Sequence, residues 1–421
     1  MKKSLLAIPL ALALLSGSMS SATAAEDRKN KVVVDGAALE NTTPLILNGR
    51  SFVPFRALAE ALDVTVTWND KERTVNAISD DVMLELTIGS KQALTNQGNF
   101  DLDAAPMIKN GKTYIPLRFF AETFDAKVTW DPENQSIYMT TPPAAMAVIG
   151  FYTLGDAQTS SWTDLFTMDY PGTGIGNTDL VSELALGWYS MDEEGNLLPN
   201  NPYYWNRPAD WESVLGAAGD YRMKTEMTIH LPEKDPTLLT LLTDEQVKSQ
   251  AITQIVKEVE LYDGVNLDLE GLGLGQSEEQ IVKTQSQFTR FVSDLSEQLR
   301  SNNKSLTLTL HAPNSVYKGY DYKSLGGVAD QIIIMAYDYT DPKSQQPEPL
   351  NKVEQAVELA KAVVPAEKLV LAINLWKEDE ETIQDKIAIA KRHHLKGIAL
   401  WRLGLVQNDW NGIRQQIKKR Y

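Results

Sequence analysis

The sequence predicts an α/β protein, a (β/α)8 barrel preceded by a small α+β repeat domain, and three observations carry that prediction. From Met146 to the C-terminus, apolar strand-like runs alternate with helical patterns. Ahead of that region a nine-residue motif occurs twice. Within the alternating region, Asp263-Gly264-Val265-Asn266-Leu267-Asp268-Leu269-Glu270 sets polar side chains at every second position. On a strand, Asn266, Asp268 and Glu270 therefore face one way.

The chain begins Met1-Lys2-Lys3, continues with an apolar run from Leu5 to Leu15 and reaches small residues around Ala22-Thr23-Ala24. These are the three regions of a secretory signal peptide, so residues 1–25 are expected to be removed and the protein to be secreted. No later stretch approaches the length of apolar sequence needed to span a bilayer.

Asn48-Gly49-Arg50-Ser51-Phe52-Val53-Pro54-Phe55-Arg56 returns as Asn110-Gly111-Lys112-Thr113-Tyr114-Ile115-Pro116-Leu117-Arg118, an offset of 116 − 54 = 62 that holds from Trp68 to Trp130. Each copy reads as an Asn-Gly hairpin turn, a strand, a short amphipathic helix and a strand ending in Val-Thr-Trp. Two copies make one small domain, residues 26–141, bounded by Pro142-Pro143. Trp68, Trp130 and Tyr114 are expected mainly as core, with glycan binding as the alternative.

Strands are predicted near 146–152, 180–189, 224–230, 263–270, 305–311, 331–337, 369–375 and 397–402. The clearest helices between them are Glu245–Leu261, Ser277–Arg300, Val353–Val364 and Asp379–His394. Eight strand–helix units over residues 145–421 match a barrel whose chemistry sits at the C-terminal ends of its strands, where Glu270, Tyr337 and Trp401 fall. Residues 376–396 read as one helix, leaving no room for an extra α+β insertion, and predict a shallow, open groove.

Composition narrows the chemistry. A length of 421 residues suggests two domains. With no cysteine, disulfides and thiolate chemistry are excluded. Four histidines, at 230, 311, 393 and 394, argue against a His-based metal site, and no cofactor is implied. The formal charge of −16 becomes −16 − 2 = −18 once Lys2 and Lys3 leave, which disfavours nucleic acid as a partner. Carboxylates two apart at a strand end repel each other, and that raises the pKa of one of them toward the range of a general acid. An acidic surface strand is the plainer alternative.

The segment Tyr262 to Leu272 resembles the D-x-x-D-x-D-x-E signature of glycoside hydrolase family 18, the chitinase-like barrels, at Asp263, Asp268 and Glu270. It departs at Asn266, in the manner of the spore-cortex and cell-wall N-acetylglucosaminidase branch. Met335-Ala336-Tyr337-Asp338 resembles the family's M-x-Y-D, and Gly397-Ile398-Ala399-Leu400-Trp401 resembles its last strand. Leu186-Gly187-Trp188-Tyr189-Ser190 with Gly195-Asn196-Leu197 resembles the second-strand region of the cortex-lytic branch. The repeat domain is similar to the N-terminal stalk domain of copper amine oxidases, although residues 1–141 contain no His or Cys to bind copper.

The resemblance implies a retaining, substrate-assisted glycosidase. Glu270 would be the general acid and later the base; Asp268 would orient the substrate's acetamide, and the Tyr337 hydroxyl would donate to its carbonyl. Asn266, counted in the substrate-binding set, can hold Asp268 by a hydrogen bond but takes up neither a proton nor negative charge, so the charge on Asp268 is expected to be less frustrated than in the three-acid form. Trp401 is a candidate floor for the sugar ring, and Asp338 is expected to bond substrate or a neighbouring loop. Met335 and Tyr189, inside the matched motifs, complete the substrate-binding set. Asp263 reads as structural, and His311 either lines the mouth or serves structure.

The implied substrate is an N-acetylglucosamine glycan of peptidoglycan or spore cortex, cleaved at β-1,4 bonds, and the implied location is the cell wall or spore, held in part through the stalk. Chitin oligomers are the alternative substrate, and a non-catalytic glycan-binding barrel is the alternative of a different class.

Overall fold

The computed structural model describes residues 31–420 apart from 40–41, 63, 80–81, 156–157, 200–205, 342 and 345. The expected signal peptide lies outside the described residues. The chain divides between Thr141 and Pro142 into two units, each with its own hydrophobic core.

In the N-terminal unit both Asn-Gly pairs have positive φ at each residue, 51° and 74° at Asn48-Gly49 and 51° and 72° at Asn110-Gly111, the requirement of a tight type I′ hairpin turn. Strands Arg50–Pro54 and Lys112–Pro116 follow, and they run straight into helices Phe55–Ala61 and Leu117–Thr123. The two strands pair antiparallel with Val53 opposite Ile115, equivalent positions since 115 − 53 = 62, so the copies meet about a local two-fold axis. Phe55 and Phe120 close the centre edge to face, 5.6 Å apart. Trp68 and Trp130 differ from expectation: they are 42% and 43% exposed. Both sit on strands at the edge of their sheets, where the indole has a neighbour on one side only.

The second unit is a closed barrel of eight parallel strands: β1 (Ala144–Tyr152), β2 (Glu183–Met191), β3 (Lys224–Leu231), β4 (Gly264–Leu269), β5 (Ser305–His311), β6 (Gln331–Met335), β7 (Leu369–Asn374) and β8 (Gly397–Trp401). β1 pairs with both β2 and β8 and so closes the ring. Alternation along each strand divides the apolar residues between two cores. Ile149, Phe151, Ala185, Ile333, Val370, Ala372 and Ala399 fill the interior, and a larger cluster lies between strands and helices.

The helices start where the sequence places stop-and-start chemistry. Asp244 accepts from the backbone N–H groups of Gln246 and Val247 to open Glu245–Glu258, and capping boxes at Ser277/Gln280 and Asp379/Thr382 open Glu278–Ser301 and Glu380–Arg392. Between β7 and β8 the chain carries only that last helix, with no α+β insertion. β6 ends at Met335, two residues before the predicted end. There the backbone turns outward, with Asp338 at φ 62°, and the N–H groups of Asp338 and Tyr339 donate to the buried Glu348 carboxylate rather than to a strand. Among the described residues no helix is long and apolar enough to cross a membrane.

The floor of the barrel is polar. Glu226 accepts from the Thr307 hydroxyl at 2.6 Å, Gln331 Nε2 donates to both Glu183 and Thr307, and Lys396 reaches Gln331 and Glu183. Burial, with the charge of Glu183 next, raises the Glu226 carboxyl to about 8 despite help from Thr307, Lys396 and Ser305.

Candidate active site

Parallel register decides which side chains meet. Asn266 stands opposite Thr228 and Thr307, and Asp268 stands opposite His230 and Thr309, so these residues rise in layers on the inner faces of β3, β4 and β5. Glu270 follows one step beyond β4, where its N–H still donates to the Leu231 carbonyl at 2.9 Å. The next residue, Gly271, has φ 85°, and a Cβ there would lie 2.9 Å from Glu233 Cα, so the turn after the acid needs glycine. Tyr320 holds the same turn, its hydroxyl donating to the Leu269 carbonyl and accepting from the Leu272 N–H.

Asp268 is 1% exposed, whereas the Glu270 side chain keeps 25% of its surface. Burial first, then the charge of Glu270, pushes the Asp268 carboxyl well above the usual range, to about 8, with His230 pulling the other way. The crowding expected from the sequence is therefore felt at Asp268.

Asn266 makes no hydrogen bond to Asp268. Its Oδ1 accepts from the Thr309 hydroxyl at 2.8 Å, while neither Asn266 Nδ2 nor Asp268 Oδ1 has a hydrogen-bond partner among the described residues. The threonine on β5 lies within reach of the amide, and Asn266 is fully buried beneath Asp268, away from any ligand in the mouth.

Tyr337 packs on the interior cluster, and its hydroxyl is raised well above its ordinary value by burial and then by Asp268, Glu270 and Asp338. It stays protonated and able to donate. Trp401 packs on the same cluster, its ring 5.0 Å from Phe151, and the peptide that follows it is cis. Met335 is buried opposite His311, one layer below Tyr337. Asp338 is exposed, fixed through its backbone by Glu348. Asp263 accepts from the Thr225 N–H at the start of β4, at the opposite end from the acids.

Tyr189 is the misplaced member of the expected set. Its hydroxyl donates to Glu258 at 2.7 Å, meets Tyr262 at 2.8 Å and accepts from Arg207, all on the helix side of the barrel wall. A register irregularity in β2 between Leu186 and Tyr189 breaks the alternation, so counting along the strand gives the wrong face.

The structure adds His230 and Tyr317 to the site. His230 Nε2 lies 3.6 Å from Glu270 Oε1, an ion-pair separation too long for a good hydrogen bond. Tyr317 stacks on His311 at 3.7 Å and donates to Glu233. Cross-strand register with Asp268 is the signal that points to His230; Tyr317 sits on a loop and has no periodic signal. Donor atoms of His230, Asp268 and Glu270 lie within 4.8 Å of one another, the one such group among the described residues.

An eight-stranded parallel barrel with one buried and one partly exposed carboxyl, a tyrosine and a tryptophan at the C-terminal ends of its strands has the groups for acid–base chemistry on a ligand in the mouth. Family profiles match two stretches of the chain: "Copper amine oxidase N-terminal domain" over residues 33–139 and "Glycosyl hydrolases family 18" over residues 237–378. Part of the barrel thus carries a match to glycosyl hydrolases family 18, and a copper amine oxidase N-terminal-like domain precedes it.

The cortical fragment-lytic enzyme of Bacillus subtilis (strain 168) is 23% identical over 233 residues, covering 39% of this chain and 52% of that protein. That of Bacillus anthracis is 24% identical over 148 residues, 33% of each. The chain thus spans about half or less of the length of these curated relatives. The spore cortex-lytic enzyme of Bacillus cereus aligns with a TM-score of 0.54 at 16% identity, covering 72% of this chain and 82% of that one. The chitinase of Chromobacterium violaceum gives 0.52 at 18% identity, covering 64% and 98%. At such identities the shared property is the fold.

Proposed function

We propose that the barrel is a retaining glycosidase that cleaves β-1,4 bonds after N-acetylglucosamine, using the substrate's own acetamide as nucleophile, with peptidoglycan or spore cortex as the glycan. The observation that carries this reading is the unequal acid pair: a buried Asp268, its carboxyl pushed up by burial and by Glu270, beside a solvent-reachable Glu270, with the Tyr337 hydroxyl close to both. In the working state the one proton of this pair sits on Glu270 and Asp268 is a carboxylate. Glu270 protonates the glycosidic oxygen as the acetamide oxygen attacks the anomeric carbon, and the C–O bond to the leaving sugar breaks. Asp268, now a carboxylate, faces the positively charged oxazolinium N–H, and Tyr337 donates to the former carbonyl oxygen. Water then attacks the same carbon, Glu270 takes its proton, and the acetamide is restored with configuration retained. Trp401 supplies an apolar face for the sugar ring.

The test compares matched aryl glycosides bearing 2-acetamido and 2-hydroxy groups. Only the first should turn over, because a hydroxyl cannot close the five-membered ring; comparable rates would sink substrate assistance. Parallel digestion of cortex, vegetative wall and chitin separates the substrates, with mass spectrometry of the released ends.

Export by residues 1–25 and retention at the wall or spore through residues 26–141 belong to the same reading. Support comes from the separate core of the N-terminal unit and from the outward-facing Trp68 and Trp130. Deleting residues 26–141 should leave activity on soluble oligosaccharides and reduce sedimentation with wall material. Unchanged sedimentation would remove the attachment role.

A further inference from the structure

We propose that His230 is a positioning residue for the general acid: its imidazole holds the Glu270 carboxyl on the β3 side of the mouth and, when protonated, stabilises the carboxylate left after Glu270 gives up its proton. The role rests on the glycosidase reading above.

Three observations support it. Register places His230 directly opposite Asp268, on the inner face and in the reacting layer. Its Nε2 is 3.6 Å from Glu270 Oε1, the one ion pair of Glu270 among the described residues. The surroundings favour a charged imidazole. Burial works against the cation, but Glu270, Asp268 and Asp235 together outweigh it, and the imidazole stays protonated to higher pH than usual.

The other titratable groups around this pair leave the role to His230. From β5, His311 also feels Glu270, but burial lowers its pKa, so it is neutral where His230 is charged. Tyr317, Tyr320 and Tyr337, from the loop after β5 and from the end of β6, are all raised and remain neutral. Glu233 is drawn off by Lys234 and Tyr317, and Asp338 is carried by the β6 loop. One cation 3.6 Å from the acid is a direct electrostatic influence on its proton transfer.

The chemistry balances within the chain. In the first step Glu270 loses its proton to the leaving oxygen, and a carboxylate forms beside the imidazolium. In the second step Glu270 regains a proton from water. His230 exchanges no proton with substrate, so it tunes the acid without being a catalytic residue itself.

The test is a pH–rate series on the full chain with His230→Gln and His230→Lys. Removing the cation makes the neighbouring carboxyl hold its proton more tightly, so the bell for kcat should move to higher pH by about one unit in His230→Gln. The kcat at the wild-type optimum should fall about tenfold or more, with KM little changed. His230→Lys, which restores the charge, should bring the bell back. A bell that stays in place in folded His230→Gln, or equal displacement in both variants, would overturn the role and leave a structural histidine.

Should the variants fail to fold, ¹³C-labelled histidine NMR on the wild type and on Glu270→Gln gives the same answer, with only four histidines to assign. The His230 titration should move to lower pH in Glu270→Gln, and an unmoved titration would overturn the coupling. A folded wild type inactive on every 2-acetamido substrate would instead overturn the glycosidase reading, whatever the NMR shows for the pair.

Discussion

The two ends of the barrel interior hold buried carboxyl groups of nearly equal pKa and opposite surroundings. Glu226, on the floor, and Asp268, below the mouth, are both raised to about 8, and burial is the largest cause in each. On the floor the neighbours are the Glu183 carboxyl, hydroxyls, an amide and the Lys396 ammonium, tied into one buried network. At the mouth they are a second carboxyl and an imidazole that solvent reaches. A raised pKa alone is thus no mark of function, since burial produces it at either end. The mouth differs because the carboxyl beside Asp268 is reached by solvent, whereas Glu183 beside Glu226 is buried.

The sharpest break of this comparison is a pair of isosteric changes. Glu270→Gln should lower turnover by about 10²–10⁴-fold, the usual scale for a general acid, while folding and glycan binding persist. Glu226→Gln, which removes an acid of similar environment from the floor, should leave turnover within about twofold. Steady-state kinetics on a 2-acetamido aryl glycoside, with circular dichroism for folding, decides it; similar losses in both would make the floor part of the chemistry.

Most of this architecture is legible in the sequence because it follows from local periodicity. The strands fall within about three residues of their predicted positions, and Asp268 and Glu270 share the face that alternation assigns them. What could not be read depends on relations between strands. The irregularity in β2 turns Tyr189 to the outer wall, and no count along β2 reveals it. Asn266 is claimed by Thr309 on β5 rather than by Asp268 two residues away, because consecutive same-face side chains on one strand stand farther apart than cross-strand neighbours. His230 is one of four histidines until register sets it beside Asp268.

A middle-sized effect sharpens the comparison through stability. Glu226 and Asp268 both have folded pKa values above their ordinary ones, near 8 against 4.5 and 3.8, so the folded barrel binds protons that the unfolded chain has lost. Stability from both is fully present below about pH 4 and drains away as pH rises through about 8. Either Glu226→Gln or Asp268→Asn should flatten that decline, each removing one of the two protons involved. Thermal midpoints between pH 5 and pH 9 measure it. If Glu226→Gln left the alkaline slope unchanged, the floor carboxyl would be ionised after all, held by Lys396.

The smallest expected effect concerns the outer wall, a third environment against which both ends can be judged. Tyr189 donates to Glu258, and Arg207 bonds both of them, its guanidinium also lying 4.8 Å from the Trp211 ring. Removing the hydroxyl in Tyr189→Phe leaves the ring packed and the Arg207–Glu258 ion pair intact at 2.7 Å. The cost should be about 1.5–3 kcal/mol, the scale of hydrogen bonds to charged partners such as Glu258 and Arg207, and turnover should not move. A strand residue inside a family-like motif thus makes a demanding control, since its position in the sequence argues for substrate contact and its position in space argues against it. Should Tyr189→Phe raise KM several-fold with stability unchanged, β2 would have to present this ring to the mouth when ligand is bound, and the irregularity between Leu186 and Tyr189 would become the place where the strand turns it inward.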